Sequence, residues 1–436
     1  MRSAFRIHAR RTATSALLTL ALCVPVAGQT DVSAIVEQNR QLVEQVRAQQ
    51  KQIDELRSRL DRLDDTTAPG QPLPAASESG RQIRLSGEVG VGFFKSGADG
   101  NLPNSEFRVD DARIFVEAPV WRNVYFFGSL ELTTREANDE FFHVGELYVE
   151  AENLWSSGRD YSLSLRAGRM NLPFGEEYQH RNVIDNPLIS HSLADIWGID
   201  EGIQVYGQLG RVRYNLAVQN GGHKSMRDLD PDKALIARVS MDATARLTLS
   251  ASAMRTGDLR ALDSNPNITT DTYSELWFAN AFFRAIGPSA NTRTFHVELA
   301  EADAAYRWPS GHLKAAAGWV RFDDDSTTLS TARKLSYYSL EGVQHLSENL
   351  FAAARYSTID APRGYPLGGQ GNLGKYFYNP FASHTKDLQR LSLGLGYRFG
   401  APLVWKVEYS WEDGHLLNGT KRSDEDMLSS VLGIRF

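Results

Sequence analysis

The stretch MLSSVLGIRF (residues 427–436) alternates apolar side chains with small or polar ones. Every second residue lies on the same face of a strand, and one face carries Leu428, Leu432, Ile434 and Phe436. The other face carries Ser429, Gly433 and Arg435, with Ser430 and Val431 as one exception to each set. Neighbouring side chains of a β-strand point to opposite faces, so this period of two predicts a strand that reaches Phe436.

The same period recurs along most of the preceding sequence. The candidate strands, sixteen with the last one, cover residues 82–94, 110–119, 123–134, 142–153, 161–170, 199–210, 211–221, 234–242, 246–255, 295–308, 311–322, 334–346, 349–360, 388–399, 403–413 and 425–436. Most are about ten residues long, the length of a tilted strand that crosses a membrane.

Short turns alternate with long polar loops between these segments. The turns fall at residues 119–123, 209–211, 242–245, 308–311, 346–349 and 399–402, and the long loops at 95–106, 171–198, 257–291, 323–333 and 361–386. This layout is typical of outer-membrane barrels, whereas a soluble β-sandwich has no reason to alternate its loop lengths. We therefore predict that residues 82–436 form an all-β fold, a 16-stranded antiparallel transmembrane β-barrel. Because a free sheet edge in lipid leaves backbone groups unpaired, the first and last strands are expected to pair.

The N-terminal residues 1–28 predict a secretory signal peptide. MRSAFRIHARR carries four arginines and no acid, and the apolar run TATSALLTLALCVPVAG follows it. A membrane anchor is the alternative, but this run is shorter than the roughly 20 residues that a helix needs to span a bilayer. The one cysteine, Cys23, lies inside this segment, so the exported chain is expected to contain no thiol or disulfide.

Residues 31–64 show a different period. Two series of mostly apolar residues each recur every seven positions, and the second series lies three residues after the first. Asn39 and Gln49 are polar interruptions of these series. Such a heptad pattern predicts an α-helical coiled coil, which needs partner helices and so implies an oligomer. The Pro-, Gly- and Ser-containing residues 65–81 are then expected to form a flexible linker.

Composition argues against several other classes of protein. The net charge of −6 does not indicate a nucleic-acid partner. A lipid-facing Ser/His pair would be needed for a phospholipase, and His143 has no nucleophile motif near it. We expect no enzyme activity, no cofactor and no metal site. The acidic stretches at 323–326 and 423–426 lack the ligand spacing of a calcium loop, so solvated loops are expected there rather than cation sites that bridge lipopolysaccharide.

Residues 83–436 resemble the phosphate-selective porin O/P family of bacterial outer-membrane channels. The resemblance is strongest at DDARIFVEAPVWRNVYFFGSLEL, at LRAGRMNLPFGEEYQHRNVIDNPLISHSLAD and at the closing Phe436. The most specific piece is GRMNLPFGEE (residues 168–177). The resemblance implies a homotrimeric porin in which loop three, residues 171–198, folds into the lumen as a constriction. The N-terminal helix is similar to the coiled-coil extension of some members.

The charged residues of the third loop and of the inward face are the candidate site. The constriction candidates are Glu176, Glu177, His180, Arg181, Asp185, His191 and Asp195. The pore-lining candidates are Arg113, Glu117, Glu131, Glu146, Arg166, Arg238, Lys314, Arg355, Arg398 and Lys406. Early strands make this wall acidic and later strands make it basic, a pattern that gives a transverse field. Phosphate selectivity would instead need concentrated Arg and Lys donors, which the third loop lacks.

The sequence therefore predicts passive diffusion of small hydrophilic solutes and ions through a bacterial outer membrane. Anion preference, including phosphate, is implied by the resemblance alone. The expected surroundings are outer-membrane lipid and lipopolysaccharide, with the coiled coil in the periplasm. The alternative is a mainly structural barrel whose coiled coil tethers the outer membrane to peptidoglycan or another envelope partner.

Overall fold

A computed structural model describes most of the chain beyond residue 81. The described residues are 82–134, 140–158, 160–221, 228, 231–260, 273–284, 294–325, 331–377 and 384–436. The predicted signal peptide (1–28), coiled coil (31–64) and linker (65–81) lie outside these residues.

Sixteen long strands form a closed antiparallel barrel, as predicted. They are β1 (Arg84–Ser96), β2 (Glu106–Trp121), β3 (Val124–Thr134), β4 (Glu140–Ser157), β5 (Tyr161–Asn171), β6 (Ile199–Leu209), β7 (Val212–Gln219), β8 (Ala234–Asp242), β9 (Leu247–Arg255), β10 (Thr294–Trp308), β11 (Gly311–Asp324), β12 (Arg333–His345), β13 (Leu350–Tyr365), β14 (Thr385–Gly400), β15 (Leu403–Leu416) and β16 (Met427–Arg435). Each strand pairs with the next along the chain, and β16 pairs with β1.

The remaining elements are short. They are the strands Ile196–Trp197, Leu259–Arg260, Tyr273–Phe278, Ala281–Arg284 and Lys421–Arg422, a 3₁₀ turn at Glu177–His180, and α1 (Leu373–Tyr376). Among the described residues, no helix is long and apolar enough to cross a membrane.

The barrel closes where the two ends of the described chain meet. Val91 of β1 faces Leu432 of β16 in the antiparallel register. Just beyond this ladder, Gly87 and Phe436 exchange two backbone hydrogen bonds of 2.9 Å each. This pairing satisfies the backbone groups that a free edge would expose to lipid.

The outer surface of the barrel is apolar, and the alternation seen in residues 427–436 is the reason. Phe436 and Ile434 point outwards and are 65% and 39% exposed, whereas Val431 points inwards and is fully buried. Exposed apolar residues on every other position of a strand fit a barrel that is surrounded by hydrocarbon.

Close packing at the seam makes Gly87 sensitive to any side chain. A Cβ added there would lie 2.6 Å from Cζ of Phe436 and 2.7 Å from the backbone oxygen of Arg113. We expect Gly87→Ala to lower the fraction of protein that folds into detergent micelles, because the backbone oxygen cannot move without disturbing the β1–β2 ladder. The folded fraction is measured by heat-modifiable migration in gel electrophoresis.

Gly342 of β12 provides the matched control for this substitution. Its nearest atom to an added Cβ is Cδ1 of Leu313, at 3.7 Å. Gly342→Ala should therefore fold like the unchanged chain. Equal folding of the two variants would contradict the idea that close packing at the seam requires glycine at position 87.

Part of the barrel interior is filled by an apolar core. The strands Tyr273–Phe278 and Ala281–Arg284 pair as an inner hairpin, which also pairs with Ile196–Trp197. Phe278 and Phe283 of this hairpin are buried together with inward residues from strands β7 to β14. The sequence prediction of a polar loop over residues 257–291 was wrong for this apolar hairpin, because loops that pack inside a barrel must bury apolar side chains as a core does.

Candidate permeation pathway

Residues 172–198, which join β5 to β6, are called loop 3 and contact the inner wall through main-chain groups. The amide of Gly175 donates to Oγ of Ser252 (3.1 Å), and the amide of Leu193 donates to Oγ of Ser357 (3.0 Å). Both serines are buried on the wall. Because buried amides require such partners, these contacts hold loop 3 against one side of the barrel.

Two charged residues of β15 hold the middle of loop 3. The Glu408 carboxylate accepts from the amides of Ile189 (2.5 Å) and Ser190 (2.9 Å). Nζ of Lys406 donates to two loop carbonyls, which lie 2.9 and 2.7 Å away. Both charged side chains are 2% exposed. They are two residues apart on one strand, so they share its inward face.

Arginines of the neighbouring strands bind further carbonyls of loop 3. Arg355, Arg390 and Arg398 donate to carbonyl oxygens at 2.7, 2.9 and 3.1 Å respectively. Arg355 and Arg390 also form ion pairs with two wall carboxylates, those of Glu341 and Glu412. Much of the basic arc that the sequence predicted therefore contacts loop 3 and acidic partners.

The first part of loop 3 contacts cations from two strands. Oε2 of Glu176 lies 2.8 Å from Nη2 of Arg238, and its Oε1 lies 3.8 Å from Nζ of Lys314. His180 approaches the same carboxylate to 3.4 Å. Burial raises the pKa of Glu176, but the hydrogen bond with His180 and the nearby cations outweigh burial and hold this pKa below its ordinary value.

The second part of loop 3 contains an internal ion-pair network. Oε1 of Glu177 accepts from the amide of Ser192 (2.7 Å), and Nη1 of Arg181 lies 2.7 Å from Oδ2 of Asp195. Nδ1 of His191 lies 3.4 Å from the same Asp195 oxygen. Donor atoms of Glu177, His191 and Asp195 fall within 4.8 Å of one another, a spacing that suits a metal ion. Arg181 already supplies positive charge to Asp195, so an ion-pair network accounts for these contacts.

Asp185 connects loop 3 to the strand that closes the barrel. Its Oδ2 lies 2.8 Å from Nη2 of Arg435, which lies 3.2 Å from Oε2 of Glu88 on the adjacent strand. Burial raises the pKa of Asp185, but hydrogen bonds from Arg435 and Asn182 outweigh burial and lower it below its ordinary value. These contacts hold the loop at a further point on the wall, beside the seam between β16 and β1.

A cavity of about 250 Å³ remains between loop 3 and the inner faces of β1 to β4. Its charged lining consists of Glu88, Asp110, Asp111, Glu131, Glu146, Arg113, Arg181 and Lys406, together with His143 and His191. Arg113 forms ion pairs with Asp111 (2.8 Å) and Glu131 (2.9 Å). Oε1 of Glu146 accepts from the amide of Asn171 (3.0 Å). Four of the predicted lining residues thus face this cavity: Arg113, Glu131, Glu146 and Lys406.

Loop 3 divides its own charged residues between opposite sides. Arg181 and His191 face the large cavity. Glu176, Glu177 and His180 line a separate cavity of about 50 Å³ between the loop and the wall formed by later strands. The two groups stay in contact, because Nδ1 of His191 lies 3.9 Å from Oε1 of Glu177.

Two predicted lining residues have partners elsewhere on the inward face. Glu117 lies 3.6 Å from Arg84 in an exposed ion pair. Arg166 lies 2.7 Å from Glu150, and its guanidinium carbon lies 4.4 Å from the ring centre of Tyr148. Each pair joins residues that face each other on adjacent strands. The two pairs contribute charged surface to the inward face of the sheet.

An aromatic stack joins loop 3 to the inner hairpin. The rings of Trp197 and Trp277 are nearly parallel, with centroids 5.4 Å apart. The guanidinium carbon of Arg181 lies 4.1 Å from the ring centre of Trp197. Stacking and cation–π contact of this kind make the hairpin and loop 3 a single packed unit inside the barrel.

The resemblance predicted that loop 3 folds into the lumen. How the loop attaches to the wall could not be predicted from residue types. Backbone carbonyls are present in every residue and backbone amides in every residue except proline, so the groups that bind Glu408 and Lys406 leave no signal in the sequence. The inner hairpin does leave one, because LWFANAFF (residues 276–283) is an apolar run inside a long loop.

No family model matches the sequence, and no curated protein sequence matches it. Solved structures do match the fold. The outer membrane channel DcaP of Acinetobacter baumannii is 14% identical, with a TM-score of 0.53 over 83% of this chain and 99% of that one. The trimer form of OmpT, an outer membrane protein of Vibrio cholerae, is 11% identical, with a TM-score of 0.51 over 82% and 99%. An anion-selective porin from Comamonas acidovorans is 12% identical, with a TM-score of 0.50 over 81% and 99%. The chain shares the barrel fold of these outer-membrane proteins.

Proposed function

We propose that this chain is a passive diffusion channel for small hydrophilic solutes in a bacterial outer membrane. The observation that carries the proposal is the cavity of about 250 Å³ between loop 3 and β1 to β4, which is lined by charged side chains inside a closed barrel. Permeation requires wall charges that stabilise an ion enough to admit it and weakly enough to release it. The apolar outer surface is the surface that outer-membrane lipid and lipopolysaccharide would cover.

The proposed assembly is a homotrimer. The resemblance implies it, and one protein of the same fold is described as a trimer form. The predicted coiled coil at residues 31–64 would add contacts between copies on the periplasmic side.

The proposed channel is tested by recording current across planar lipid bilayers that contain the purified exported protein. Stepwise conductance increases are expected. A variant that lacks residues 31–80 is expected to retain them, because the described barrel includes none of those residues. Bilayers that stay electrically silent with folded protein would exclude the channel and favour the alternative, a structural barrel that tethers the envelope through its coiled coil.

The resemblance implies an anion preference for this channel. One protein of the same fold is named an anion-selective porin, at 12% identity. In this chain, however, Arg355, Arg390 and Arg398 all donate to loop 3 carbonyls, so they do not form a ladder that faces the cavity. The residues that do face it favour the opposite charge.

A further inference from the structure

We infer that the passage between loop 3 and the wall prefers small cations over anions; this rests on the proposed channel function. Five carboxylates and three cationic side chains line the cavity, so its formal charge is negative when the two histidines are neutral. The carboxylates come from β1 to β4, and loop 3 forms the opposite side.

On the acidic side, two carboxylates share one guanidinium. Arg113 forms ion pairs with Asp111 and Glu131, at 2.8 and 2.9 Å. Glu146 accepts a backbone amide of β5, which brings no full positive charge. Glu88 has its own partner, because Arg435 lies 3.2 Å from its Oε2. A single arginine compensates one unit of charge, so Asp111, Glu131 and Glu146 together retain negative charge that faces the cavity.

One buried polar atom of this side has no hydrogen-bond partner among the described residues. It is Nδ1 of His143, which lines the same cavity. Glu131, which is 5% exposed, has Nε of Arg113 2.9 Å from its Oε2. Buried polar groups normally have a partner, so Nδ1 of His143 points to a hydrated occupant of the cavity.

The other two cations that line the cavity offset this charge only in part. Arg181 lies 2.7 Å from Asp195, a carboxylate that does not line the cavity and that compensates its charge. Nζ of Lys406 donates to the carbonyl oxygens of Asn186 and Leu188, at 2.9 and 2.7 Å, which leave its positive charge in place. The one unit of charge on Lys406 does not balance the carboxylates of the wall, so an ion in the cavity meets mainly negative charge.

The other lining residues strengthen the effect of these charges. Val183, Leu188 and Ile189 of loop 3 bring apolar surface to the cavity. Low-dielectric walls concentrate the field of nearby charges, and this raises the local concentration of ions of opposite sign. Hydrated alkali cations and small protonated amines are therefore the expected permeants, and multivalent anions such as phosphate are expected to be disfavoured.

The test is the reversal potential of the exported protein in planar bilayers under a potassium chloride gradient. The expected sign is that of a cation-preferring pore. Glu131→Gln should lower the permeability ratio of potassium to chloride by roughly threefold, the size expected when one unit charge close to the ion is removed in a partly aqueous pore. The matched control is Asp413→Asn, whose exposed carboxylate pairs with Lys421 at 2.7 Å and lies outside the cavity. It should leave the ratio unchanged.

The outcomes separate the two proposals. Absence of any current would remove the channel function itself. A current with the reversal potential of an anion-preferring pore would keep the channel and overturn the inferred cation preference. If Glu131→Gln failed to fold, the sign measured on the unchanged protein would still decide the matter. A ratio unaffected by Glu131→Gln in folded protein would show that the carboxylates of β1 to β4 do not set the preference.

Discussion

Glu408→Gln is expected to free the middle of loop 3 and to increase the conductance of the channel several-fold. The carboxylate accepts two loop amides and the hydroxyl of Ser190, and it is 2% exposed. A glutamine amide has one acceptor oxygen, and its NH₂ group would face donors. Each buried donor left unsatisfied costs about 1–3 kcal/mol, which is enough to detach a loop segment.

The measurement is single-channel current combined with limited proteolysis of loop 3. Glu348→Gln is the matched control, because Glu348 lies exposed in a turn between two barrel strands. It makes the same chemical change without touching the loop and should leave both readings unaltered. If Glu408→Gln folded normally and its conductance and protease resistance were also unaltered, Glu408 would not be what holds the loop.

Arg422→Met is expected to destabilise the long-loop end of the barrel by about 3–5 kcal/mol, the usual cost of removing one partner of a buried ion pair. Nη2 of Arg422 lies 2.5 Å from Oε2 of Glu425, and both side chains are fully buried. Its Nη1 donates to the carbonyl of Leu367 (2.9 Å) and to Oγ1 of Thr385 (2.8 Å). The ring centre of Tyr376 lies 3.9 Å from its guanidinium carbon. One side chain thus joins two loops and β14.

Lys421 is the control for this substitution because it is the adjacent residue in the chain. Its side chain is 54% exposed, and it pairs with Asp413 on the surface. Surface pairs of this kind contribute about 0–1 kcal/mol, so Lys421→Met should have little effect. Urea unfolding of the barrel in lipid vesicles measures both variants. The double variant Arg422→Met with Glu425→Gln should recover part of the loss, since it removes the uncompensated buried carboxylate. Equal stability of the two single variants would show that the buried pair does not hold the loops together.

The strands were predictable because lipid and water impose opposite demands on neighbouring residues. All sixteen predicted segments correspond to barrel strands, and residues 234–242 match β8 at both ends. The largest difference is at a long-loop end, where β13 extends to Tyr365 although the alternation marked an end at residue 360. Both β4, which extends to Ser157, and β14, which begins at Thr385, also continue beyond the stretch that the alternation marked. Pairing with neighbouring strands, rather than side-chain type, determines those ends.

The candidate site was predictable only in part. The inward charges of β2 to β4 could be assigned from alternation, and Arg113, Glu131 and Glu146 do face the cavity. Their distribution between cavity and loop contacts could not be assigned, since it depends on which carbonyls and amides of loop 3 come near. Lys406 is the clearest case. Alternation predicts only that its side chain lies on the inward face, and the structure is needed to show that its Nζ donates to two carbonyls of loop 3.

The core formed by loop 3 and the inner hairpin packs against β7 to β14, whereas the charged cavity lies against β1 to β4. The effect of a substitution should therefore depend on which of these two regions it lies in. Those around Phe278 and Phe283 should appear as changes in folding yield, and those around Arg113 should appear as changes in what the protein transports. An engineer who wished to turn this barrel into a sensor could leave β7 to β14 unchanged and redesign the four strands β1 to β4.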